Sequence, residues 1–121
     1  MDWTDQATVI GSLREYVLIA ERADRPDPEV AEEILTAECR DMFPLPVRVF
    51  RSARHASEMK WNYSPLIVLW FGGGLILGSP TMIAPLARAL VKRFNAVVVA
   101  PTFRMAPERA FPLPINDAWD M

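Results

Sequence analysis

Three consecutive glycines, Gly72, Gly73 and Gly74, directly follow an apolar run from Leu66 to Phe71. Glycine loses more backbone freedom on folding than any other residue, so a triplet points to an unusual backbone or a close approach. Two chemistries compete for it. A bare triplet is most often a permissive turn. The other option is a set of backbone N–H groups held out toward a developing negative charge, an oxyanion hole. The sequence has no G-x-G-x-x-G and no G-x-x-x-x-G-K-[ST], so phosphate binding is not indicated. Cys39 and His55 are the single cysteine and the single histidine, too few for a metal site. None of Ser12, Ser52, Ser57, Ser64 and Ser79 has glycine both two places before and two places after it. No Gly-x-Ser-x-Gly nucleophile elbow is therefore present in this stretch.

The glycines sit between a strand and a helix. Leu66–Phe71, rich in β-branched and aromatic residues, reads as a strand buried on both faces. After Ser79-Pro80 a helical pattern covers Met82–Phe94, with Ile83, Leu86, Leu90 and Val91 as its apolar stripe. Pro85 fits there only in the first turn. Lys92 and Arg93 suit the negative end of the helix, and Asn95 its C-cap. Val97–Pro101 reads as a second buried strand. Such a strand–turn–helix junction is where open α/β sheets place their ligand chemistry.

Upstream, residues 4–22 form a helix whose apolar face is Val9, Ile10, Leu13, Tyr16, Val17 and Ala20, with Arg14, Glu15 and Glu21 directed away from it. Pro26-Asp27-Pro28 ends it. Asp27 as N-cap and Pro28 at the first position predict a second helix, with Val30, Ile34 and Leu35 on its apolar side. Thr36–Asp41 is assigned to a first strand. Phe43–Pro46 is a turn, and Val47–Arg51 alternates as a half-buried antiparallel strand should. Residues 52–64 are polar, contain His55, Lys60 and Asn62, and read as a loop.

At 121 residues and 51% apolar content the chain is one folded domain at most, or part of one, and is not of a disordered class. A net charge of −2 gives no reason to expect nucleic acid or an anionic membrane. Eleven prolines fit a sheet with many short connections. Cys39, without a partner, reads as a buried, unreactive thiol of a reducing compartment. The acidic start at Asp2 and Asp5 is unlike a signal peptide, and Leu66–Leu77 is too short to span a bilayer. A cytoplasmic location is expected, with the acceptor-like Asn62-Tyr63-Ser64 idle.

The motif order narrows the choice. Phe-Gly-Gly-Gly at 71–74, Leu-Gly-Ser at 77–79, Phe-Arg-Met-Ala-Pro-Glu at 103–108, Phe111-Pro112 and Asn116-Asp117 follow one another across one strand–helix–strand unit. This resembles the hormone-sensitive-lipase-like (fold-3) branch of the α/β hydrolases. That family has His-Gly-Gly-Gly after its third strand and a Tyr-Arg-Leu-Ala-Pro-Glu-like segment after its fourth. The resemblance covers Pro46–Met121 well and the first forty-odd residues loosely.

The resemblance implies an α/β fold, a partial α/β-hydrolase sheet of about four strands with two N-terminal helices and a helix after the glycines. Residues 1–40 would be the N-terminal helices, either part of a cap or packed on the body, and 41–121 the N-terminal part of the hydrolase domain. Gly73 and Gly74 would be the oxyanion hole, and Phe71, Gly72, Arg104 and Glu108 the support of that loop, with Arg104 and Glu108 paired to each other. Asp117 would fix a loop or helix start rather than act as catalytic acid. No catalytic triad member is assigned here. In this fold the histidine follows the nucleophile and the acid, so His55 is assigned to the surface. The nucleophile would come after Met121. The substrate class implied is a small acyl ester, with no metal or organic cofactor. Phe71 stands where the motif has histidine and cannot make that residue's hydrogen bonds. Phe71 and the missing triad favour a second reading for the isolated chain, a non-catalytic interaction module or degenerate relative. In the resembled fold the strand that carries the nucleophile lies beside Leu66–Phe71. Without it that edge is unpaired, and self-association through it is expected.

Overall fold

The computed structural model describes residues 5–56 and 64–121, without the side chains of His55 and Ala56. Helix α1 covers Gln6–Ala23, and Asp5 caps it by accepting from the Thr8 amide at 3.3 Å. Strands β1 (Val30–Glu38) and β2 (Pro44–Ser52) form an antiparallel pair from Val30↔Ser52 to Glu38↔Pro44. A short helix α2 (Ala53–Ala56) follows. Beyond residue 63 come β3 (Leu66–Val68), the glycine turn, a 3₁₀ turn (Pro80–Ile83), α3 (Ala84–Phe94), β4 (Val97–Pro101) and α4 (Leu113–Asp120). The four strands make one mixed sheet in the order β1-β2-β4-β3. β4 is antiparallel to β2 and parallel to β3. The expected α/β class, the four strands and the helix after the glycines are all present.

β2 shows how the core is built. Its residues alternate faces, and Phe50, on the face of Val98 and Ala100, packs with Ala84, Ala87 and Val91 of α3. The small Ala84 and Ala87 let α3 lie close against the sheet. Ser79 caps the 3₁₀ turn by accepting from the Thr81 amide, Pro85 lies in the first turn of α3, and Asn95 ends it in the left-handed conformation (φ 51°). The places of Pro85 and Asn95 follow the pattern read from the sequence.

Three readings need correction. The second N-terminal helix does not form, because residues 30–38 are strand β1 and only α1 precedes the sheet. Asp27 does not cap a helix there. Its side chain accepts from the Glu29 amide at 2.9 Å and its carbonyl from Val30, which makes a tight turn into β1. The strand wins because Glu32 turns inward to two arginines, whereas Ile34 and Leu35, the intended apolar side, are exposed. The first strand is accordingly Val30–Glu38 and not Thr36–Asp41. The strand before the glycines is also shorter and less covered than expected. Its ladder runs from Leu66↔Val97 to Val68↔Val99, extended by one bond from the Leu69 amide to Val99, and Leu66 is 68% exposed. Among the described residues β3 is the last strand of the sheet, with β4 as its one neighbour. Lys60 and Asn62 lie outside the described residues.

Four charges tie α1, β1, β2 and α3 together. Arg88 reaches Glu32 at 2.6 Å and Asp24 at 2.7 and 2.9 Å. Arg48 reaches Glu32 at 2.6 Å, Asp24 at 3.0 Å and the Thr81 hydroxyl at 3.1 Å. Two cations meet two anions, and each donor finds an acceptor. That closure is what makes so many charges tolerable in a largely buried place.

Candidate active site

The loop from Gly72 to Ser79 turns sharply. The Gly73 carbonyl accepts from the amides of both Ile76 and Leu77 at 3.2 Å. Gly73 has φ 140°, and a Cβ there would lie 2.0 Å from the Leu77 carbonyl oxygen. Gly78 has φ 117°, and its Cβ would lie 2.5 Å from the Phe71 ring. Only glycine fits either position. Two further carbonyls of the turn are taken from outside. Leu75 accepts from the Ala106 amide at 2.9 Å, and Ile76 accepts from Arg14 Nε at 2.9 Å. Among the described residues the amides of Gly73 and Gly74 donate to no acceptor. Gly73 is half-buried and Gly74 exposed. Three carbonyls of the loop are thus held, and the adjacent Gly73 and Gly74 N–H groups are left open to an incoming anion.

Phe71 is only 5% exposed and stacks on Phe103, with ring centroids 4.6 Å apart and planes inclined by 16°. The start of the glycine loop thus rests on the residue that leaves β4. An apolar stack stands where the family motifs offer histidine and tyrosine.

The expected Arg104–Glu108 ion pair does not form. Arg104 instead grips Asp117, with Nε and the terminal nitrogen at 2.9 and 2.5 Å and its own amide at 2.8 Å. Its remaining nitrogen reaches Asp41 at 2.7 Å, and its guanidinium lies 4.4 Å from the centre of the Phe43 ring. Asp117 is fully buried. Burial raises its carboxyl, but the bonds from Arg104 outweigh that and hold it below the ordinary range. Cys39 also hydrogen-bonds Asp117, and burial, with this acidic neighbour, pushes the thiol up to about 11. Glu108 goes to Arg14, which clasps both its oxygens at 2.6 and 2.9 Å and draws its carboxyl down to about 2. A fork can satisfy two carboxylate oxygens at once, which is why an arginine sits at each of these places.

Arg14 is the residue that sequence reasoning missed. The apolar periodicity directed it away from the body, yet it is half-buried and bonds two loops. Tyr16, assigned to the packing face, is exposed instead. A signal existed in the helical spacing of Ile10, Arg14 and Val17, but an arginine on such a face is normally read as solvated.

Residues 67–121 match the family model described as alpha/beta hydrolase fold. The carboxylesterase NlhH of Mycobacterium tuberculosis is 33% identical over 92 residues, covering 76% of this chain and 27% of that protein. An ethyl acetate hydrolase of Pseudomonas putida is 32% identical over 103 residues, covering 85% of this chain and 30% of that protein. Among solved structures, an esterase of Pyrobaculum calidifontis superposes with a TM-score of 0.70 at 32% identity, over 96% of this chain and 35% of the other. The chain carries the α/β-hydrolase fold family's match in its residues 67–121. It spans about a third of the length of these relatives or somewhat less. Its relatives are the carboxylesterases that the order of glycine triplet and Arg-Met-Ala-Pro-Glu segment implied. No helix among the described residues is long and apolar enough to cross a membrane. Among them no group of three or more histidine, cysteine or carboxylate side chains is placed to hold a metal.

Proposed function

We propose that the turn at Gly73–Gly74 is the oxyanion-binding element of a carboxylic-ester hydrolase acting on small acyl esters. The observation that carries this reading is the pair of adjacent amides, Gly73 and Gly74, without an acceptor among the described residues, on a loop whose Gly73, Leu75 and Ile76 carbonyls are held. When a nucleophile adds to an ester, the carbonyl oxygen becomes an alkoxide. N–H groups already aimed at that position stabilise it without reorganising, and each is worth about 3–4 kcal/mol of barrier. Gly72 lets the chain leave the strand, Phe71 anchors that exit on Phe103, and Arg104 with Asp117 fixes the exit of β4 that carries Phe103. Glu108 holds the arginine that bonds the turn. This reading assigns no nucleophile, acid or catalytic histidine to the residues here, and gives them an electrostatic part in the reaction.

A second reading is favoured by one observation, the Phe71–Phe103 stack in place of the family's polar pair. It makes the chain a degenerate relative kept for binding. A chimera separates the two. Residues 66–121 replace the matching segment of the Pyrobaculum calidifontis esterase, and hydrolysis of p-nitrophenyl acetate is followed. The oxyanion reading expects turnover, with kcat falling at least 100-fold when Gly73→Ala is added. A folded chimera whose kcat is indifferent to Gly73→Ala removes the loop from the chemistry and leaves the binding reading.

A further inference from the structure

α1 has no buried residue, yet one of its side chains reaches the most constrained part of the glycine turn. Arg14 makes four bonds to three groups: Nε to the Ile76 carbonyl at 2.9 Å, a terminal nitrogen to the Ala106 carbonyl at 2.8 Å, and the fork to Glu108 at 2.6 and 2.9 Å. The Ile76 carbonyl and the Leu77 amide belong to one planar peptide group. Arg14 holds the oxygen of that plane, and the Leu77 amide donates to the Gly73 carbonyl at 3.2 Å. The Gly73 carbonyl in turn shares its plane with the Gly74 amide. Two rigid planes joined by one hydrogen bond therefore connect the guanidinium to an open N–H.

We propose that Arg14 is a positioning residue that orients the Gly74 amide through the Ile76–Leu77 and Gly73–Gly74 peptide planes, so that docking of α1 sets the anion-binding state of the loop. This rests on the oxyanion reading of the loop for its purpose, but not for its geometry. Glu108 holds the guanidinium in place and has no bond of its own to the turn. Lysine has a single ammonium, which pairs with Glu108 but cannot also fork to the two carbonyls.

The test uses the 121-residue chain and needs no activity. Amide ¹H–¹⁵N shifts and residue-resolved hydrogen exchange are compared for the native chain, Arg14→Lys, Arg14→Met and Glu108→Gln. The expected result is at least tenfold faster exchange at Leu77 and a displaced Gly74 resonance in both Arg14 variants. Amides of β2 and β4 stay protected. Glu108→Gln, which keeps one acceptor oxygen for the guanidinium, moves Leu77 and Gly74 less than either Arg14 variant. The proposal falls when Arg14→Lys leaves Leu77 exchange and the Gly74 shift unchanged, or when Glu108→Gln moves them as much. If Arg14→Met unfolds, the Arg14→Lys comparison alone decides. A positive result here together with an indifferent esterase chimera keeps the positioning role and removes its catalytic purpose.

Discussion

Alanine placed in turn at Gly72, Gly73 and Gly78 gives two opposite outcomes from one loop. At Gly72 a Cβ meets nothing within 4 Å. Losing the freedom of the unfolded chain then makes Gly72→Ala neutral or stabilising by about 0.4–1 kcal/mol. At Gly73 the Cβ would lie 2.0 Å from the Leu77 oxygen and 2.8 Å from its carbon, both backbone atoms, at φ 140°. Relief requires moving the turn. A strained backbone conformation costs about 1–3 kcal/mol. The two bonds to the Gly73 carbonyl add about 1 kcal/mol each if they break. Gly73→Ala is therefore expected to cost about 1–5 kcal/mol. At Gly78 the contacts are the Phe71 ring at 2.5 Å and the Gly72 oxygen at 2.6 Å. The ring cannot swing away cheaply because it is stacked on Phe103. Gly78→Ala belongs with Gly73→Ala. Urea unfolding followed by tryptophan fluorescence ranks the three. Equal midpoints for Gly72→Ala and Gly73→Ala would refute the close approach that defines the turn.

Four further outcomes follow from other parts of the molecule. Phe71→His buries an imidazole against the Phe103 ring and costs about 1–3 kcal/mol; adding Phe103→Tyr recovers part of it, and calorimetry that finds the single variant as stable as native refutes this. Arg88, then Arg48, draw Asp24 from 3.8 down to about 2; the folded value lies below the unfolded one, so this stability is present above pH 4 and lost as pH falls toward 2, and urea midpoints of Asp24→Asn should lose that slope. Cys39, 3% exposed with its thiol at about 11, reacts with a thiol reagent at pH 8 about 100-fold slower folded than unfolded, read from the absorbance of the released thiolate. Among the described residues β3 has β4 on one side and no strand on the other, and Leu66 and Trp70 beside it are exposed, so the chain self-associates in light scattering across a dilution series; a monodisperse monomer that unfolds cooperatively refutes it.

What the sequence could tell depended on how far apart the interacting residues lie. β4, α3 with Pro85 in its first turn, the left-handed Asn95 and the site of the turn itself are local patterns, and all stand as read. The segment 27–41 misled because Val30, Ile34 and Leu35 fit helical spacing, and Asp27-Pro28 resembles a helix start. Strand pairing with β2 overrode that preference, and the reason is charge: Glu32 finds Arg48 across the ladder and Arg88 on α3. The Arg104–Glu108 pairing rested on nearness in sequence. Arg104 instead pairs 13 residues away and Glu108 94 residues away, distances at which no periodicity operates.

The same distances explain how α1 is held. A helix that buries an apolar stripe is attached by a term that salt and pH scarcely touch. α1 buries no residue, and leaves Leu13, Tyr16, Leu18 and Ile19 exposed. Its attachment is polar at both ends, Arg14 to the glycine turn and the Ala106–Glu108 segment, and Asp24, just past its last residue, to Arg48 and Arg88. The two anchors differ in kind. Asp24 sits in a closed four-charge cluster against the sheet, where screening is weak, whereas Glu108 is exposed, where the Debye length of about 8–10 Å at ordinary salt governs the pair. Salt therefore acts on the Arg14 end first and leaves the Asp24 end as a hinge. That end bears on the turn, so the part of the fold most easily loosened is coupled to the amides that the proposed chemistry uses.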